Sequence, residues 1–115
     1  MAATTAMPRG LDTIAECLSS DHDRLDGLLT MVCRTVETGD LEAARTTLAQ
    51  FASGLSRHIR IEEEIIFPLF EMRTSGHCGP TLVMRSEHRD ILAAVRTMRE
   101  GLAQFDVETF REGLA

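Results

Sequence analysis

Apolar residues recur along the chain at steps of three and four, first at Leu11, Ile14, Leu18, Leu25, Leu29, Val32 and Val36. That spacing is the stripe of an amphipathic helix. Gly39 ends the stripe and Asp40 can cap the next helix. A second stripe runs through Leu48, Phe51, Leu55, Ile65 and Leu69, with Pro68 tolerable only near the helix end or at a kink. The segment 74–80 reads as a loop in which Pro80 suits the first position of a helix. The third stripe is Met84, Ile91, Val95, Met98 and Leu102, after which Asp106 caps a short segment that reaches only Ala115. The pattern predicts an all-α helical bundle.

Shifting the chain by 66 positions lays His22 on His88, Leu18 on Met84, Leu25 on Ile91 and Leu29 on Val95. The same shift lays the segment from Asp40 on the segment from Asp106, Arg45 on Arg111 and Leu48 on Leu114. Two helical hairpins of one plan are implied, the second cut short.

Each apolar stripe has a gap where the rhythm calls for a core residue and a polar one stands instead. His22 lies between Leu18 and Leu25, His58 and Glu62 between Leu55 and Ile65, and His88 between Met84 and Ile91. Burying an unpartnered polar group costs several kcal/mol, roughly, so four converging ones call for a ligand. At about 1.5 Å of rise per residue, His22 and His58 fall at similar heights in antiparallel helices, roughly 25 Å from the turn at Gly39. Glu62 and His88 are level with each other by the same count from the second loop. His58 and Glu62 are four apart and share a helix face, so both can reach one metal centre. On a regular helix Glu63 and Glu64 point elsewhere, and the expectation for both is a solvated surface.

Composition narrows the picture. One domain is expected from 115 residues, with residues 1–10 a flexible segment and residues 11–115 the bundle. The formal net charge of −6 argues against a nucleic-acid surface or an anionic membrane. Three cysteines at irregular spacing fit a reducing compartment better than a disulfide framework. With no apolar leader and no long apolar run, a cytoplasmic protein is expected. Cys17 and Cys33 are expected to be small buried hydrophobes, Met84 and Met98 core filler, and His77 a loop residue. Cys78 in the same loop is the candidate for thiol chemistry.

His22 in Asp-His-Asp-Arg-Leu, the segment His58-Ile-Arg-Ile-Glu62-Glu-Glu-Ile-Ile-Phe-Pro, and Glu87-His88-Arg together resemble the hemerythrin-like HHE cation-binding domain. The resemblance covers about Leu11 to Ala115. It implies an up-down four-helix bundle around a non-haem di-iron centre, with His22 and His58 terminal ligands of one iron, Glu62 a bridge and His88 a ligand of the second. Imidazole and carboxylate donors suit iron. Oxygen-carrying hemerythrins carry a second histidine four residues before the one matched by His88. Met84 stands there, which favours the broader HHE branch. The family's fourth-helix histidine and carboxylate would fall at positions 124 and 128, past Ala115, leaving the fourth helix truncated and the site open to completion by a longer chain or by a second copy in a homodimer or helix exchange. The expected function is iron binding, with dioxygen or nitric oxide as a small diatomic ligand to bind or sense, or iron handling. No general base or substrate pocket is legible. The alternative is a metal-free helical self-association module.

Overall fold

A computed structural model describes residues 9–74 and 79–115, with side chains from Glu16 onward. The N-terminal segment expected to be flexible lies almost wholly outside the described residues, as do His77 and Cys78. All regular structure among the described residues is helical: α1 Arg9–Glu37, α2 Leu41–Ile61, a π-helical turn Glu62–Ile66, α3 Phe67–Arg73, α4 Gly79–Ala103 and α5 Val107–Leu114. None of these helices is long and apolar enough to cross a membrane.

The two tight turns follow the repeat. Gly39 takes a left-handed conformation with φ of 83°, and Asp40 accepts from the Ala43 N–H at 3.1 Å to cap α2. One repeat later Phe105 adopts φ of 56°, and Asp106 accepts from the Thr109 N–H at 3.2 Å to cap α5. A glycine is free to enter that conformation and phenylalanine is not, so the second turn carries local strain. The exposed Phe105 ring meets the Arg45 guanidinium at 5.0 Å, a contact between the second turn and the first turns of α2. The Asp106 carboxyl is held below its ordinary range chiefly by the Thr109 hydroxyl and then by the Thr109 N–H.

Short turns make antiparallel neighbours, and α1 pairs with α2, α4 with α5, and α2 with α4. Leu25, Val32 and Val36 of α1, Leu48 and Phe51 of α2, Val95, Met98 and Leu102 of α4, and Phe110 of α5 form one buried core. α5 lies so close to α4 that a Cβ on Gly101 would stand 2.5 Å from the Phe110 nitrogen, and one on Gly113 2.7 Å from the Ala94 carbonyl. Contact with α4 therefore extends up to Ala94, roughly 9 Å short of His88 along the helix.

Above that level three helices surround the interior, and residues expected in the core come to the surface. Met84 is 38% exposed, Ile91 44% and Ile65 43%. Their stripes are genuine helix faces, but among the described residues no neighbour covers them. Cys17 is also exposed rather than buried, and Cys33 is half-buried.

Candidate metal centre

The middle helix does not run as one regular rod. Pro68 has no N–H to give the Glu64 carbonyl, and its ring would press on that carbonyl in a regular helix. The chain widens one turn instead: the Phe67 N–H reaches back five residues to the Glu62 carbonyl. Arg85 of α4 steadies the widened turn by donating to the Glu63 carbonyl at 3.2 Å. Its guanidinium also lies 5.3 Å from the centre of the Phe67 ring.

The widened turn brings two consecutive carboxylates toward α4. Glu62 sets Oε1 3.1 Å from Nε2 of His88 and Oε2 3.7 Å from Nε2 of His58. Glu63 sets Oε2 2.7 Å from Nδ1 of the same His88. The expectation that Glu63 is a solvated surface charge is therefore corrected, because a π turn does not keep the α-helical rotation on which it rested. Glu64 does lie at the surface, 3.3 Å from Arg60.

His58 and His88 are buried, at 7% and 8% exposure. On the far side of His58, Asp21 of α1 places Oδ2 3.0 Å from Nδ1. Burial alone would raise the Asp21 carboxyl, but hydrogen bonds from Arg24 and His58 outweigh it and hold the group below its ordinary value. An ionised carboxylate only accepts, so Nδ1 of each ring donates outward and Nε2 is turned toward Glu62. Beneath His88 the buried Phe67 ring stacks at 5.7 Å and 11°.

His22 departs from expectation. Its ring centre lies 5.8 Å from that of His58, but the residue is exposed and has no hydrogen bond to any described residue. All four sequence candidates line one open cavity of about 370 Å³, together with Leu18 and Ile91 among others. His58, Glu62 and His88 are in direct contact within it, while His22 stands at its exposed side. Among the described residues, no three His, Cys, Asp or Glu side chains are gathered tightly enough to grip an ion as they stand.

The donor chemistry nevertheless fits a cation. Two imidazole nitrogens turned toward one carboxylate are the nitrogen and oxygen donor types that a cation such as iron takes. A family model, the hemerythrin HHE cation-binding domain, matches residues 13–115. The chain belongs to that family. The curated proteins and the solved structures give no match. Membership in the HHE family makes this a cation-binding helical domain.

Asp21 and Glu63 were not singled out by sequence. Asp21 stands off the apolar stripe of α1, so its sequence position carries no signal of its contact with His58. For Glu63 a signal was available in Pro68, which announces an interrupted helix a few residues upstream but not the direction in which the side chains turn.

Proposed function

We propose that this HHE domain holds iron through Nε2 of His58 and His88 and the carboxylate of Glu62, with His22 closing the ligand set from the mouth of the cavity. The observation that supports it is the split aim of Glu62, whose two oxygens face different histidines. A carboxylate so placed suits a bridge between two ions, His22 and His58 serving one iron and His88 the other. Iron bound there would offer open coordination positions to a diatomic ligand such as dioxygen or nitric oxide. The chain's contribution is a cavity open on one side, through which a small molecule can enter beside His22. Anaerobic Fe(II) loading followed by iron analysis and visible spectra under dioxygen and nitric oxide tests this function. Close to two irons per chain, and loss of bound iron in His58→Ala, are expected. No iron retained after aerobic and anaerobic loading would rule it out.

A second reading, self-association, is favoured by the exposed row on α4. Met84 and Ile91 flank His88 on the open side, and the repeat sets Leu18 beside His22 on α1 in the same relation. Two copies can meet about a two-fold axis through Met84 and Ile91, with Leu18 at the cavity rim, each covering the other's cavity. Sedimentation is expected to give a dimer that Met84→Lys with Ile91→Lys turns into a monomer. A monomeric wild type at high micromolar concentration would exclude it.

A further inference from the structure

The two buried imidazoles share an arrangement that the metal ligands alone do not require. His58 is held at Nδ1 by Asp21 from α1 at 3.0 Å, and His88 at Nδ1 by Glu63 from the widened turn at 2.7 Å. Each carboxylate has further support. Asp21 receives the Arg24 guanidinium at 2.9 Å, while the Glu63 carboxylate lies 3.9 Å from the Arg85 guanidinium, which also donates to the Glu63 backbone carbonyl. His22 has no such partner among the described residues and is the one candidate ligand exposed to solvent.

An unheld imidazole can present either nitrogen and can turn about its Cβ–Cγ bond. A carboxylate at Nδ1 removes both freedoms, fixing a proton on that nitrogen and leaving Nε2 to bind a cation. The repeat sharpens the point: Asp21 falls on Glu87, but Glu87 is exposed and the group that holds His88 is Glu63. The partner of His88 thus comes from the π turn instead of from the residue before a histidine.

We infer that Asp21 and Glu63 are positioning residues, each fixing one histidine with Nδ1 protonated so that both Nε2 atoms converge on Glu62. The role rests on the metal-binding function proposed above, yet it makes a claim that holds in the metal-free protein. The π turn then has a purpose in the site, since it lets Glu62 and Glu63, adjacent in sequence, address opposite edges of the same ring.

The test uses the full chain labelled with 15N in its histidines, observed by proton–nitrogen NMR without metal and with Zn(II) as a diamagnetic probe. In the metal-free wild type, His58 and His88 should each show a hydrogen-bonded Nδ1 proton and His22 should not. With Zn(II), the Nε2 resonances of His58 and His88 should shift while the Nδ1 protons persist. Asp21→Ala should remove the Nδ1 proton of His58 alone, and Glu63→Ala that of His88 alone, each weakening Zn(II) and Fe(II) binding by about 10–100-fold. Asp21→Asn and Glu63→Gln keep an acceptor oxygen and should restore the proton signals and part of the affinity. The inference is overturned if the wild type lacks either Nδ1 proton, or if both alanine variants bind the two ions within twofold of wild type. A wild type that shows both protons and takes up neither ion supports the positioning and overturns the metal-binding function instead.

Discussion

Replacing Phe67 by alanine is expected to lower the unfolding free energy by about 3–5 kcal/mol, the usual cost of emptying a buried aromatic site. Phe67 is only 3% exposed, and its ring lies flat beneath His88 with Arg85 against it. A domain of this size has a total stability of about 5–15 kcal/mol, so the loss is about a fifth of it or more. Urea unfolding followed by circular dichroism should show the midpoint falling with the slope unchanged. Phe67→Leu keeps most of the volume and should cost under about 1.5 kcal/mol, isolating what the stacked ring adds to His88. A cost below about 1 kcal/mol for the alanine variant would mean that the packing under His88 contributes little to the fold.

Removing Glu62 is expected to have the largest effect on metal binding. Among the described residues it is the one carboxylate close to both buried Nε2 atoms, and alanine there removes a charged donor from the centre of the cluster. Iron and zinc affinity should fall by more than about 100-fold, beyond the loss typical of a group that merely orients a ligand. Glu64→Ala provides the contrast. Glu64 is a surface residue whose partner is Arg60, so binding should stay within twofold of wild type. Titration calorimetry with Zn(II) and competition with a chromophoric chelator would measure both. Equal effects of the two substitutions would remove Glu62 from its proposed place.

The helices were legible in the sequence because they depend on local rules. Gly39 with Asp40, and Asp106 after Ala103, mark helix ends by turn chemistry, and the buried Leu25, Val32, Leu48, Val95, Met98 and Leu102 all belong to the apolar stripes. His58, Glu62 and His88 were found because polar residues interrupt those stripes. What could not be read is which parts of a stripe meet a neighbour. Met84, Ile91 and His22 keep the right phase on their helices, yet they come to the surface because α5 packs against the lower part of α4. Nor could the sequence show that Glu63 would turn inward, because the rotation per residue changes within the π turn. Asp21 needed knowledge of which α2 residue faces it, which is a property of helix packing rather than of α1.

The π turn also resets the count along its helix. It spends one residue more than a regular helix of the same length, and α3 is therefore rotated relative to the frame of α2 by about the 100° that one residue contributes. Deleting a single residue between Glu62 and Ile66 would restore the regular count only by driving the Pro68 ring against the carbonyl four positions before it. Shortening the turn and keeping Pro68 are therefore incompatible, so the extra residue and the proline belong together as one feature of the helix.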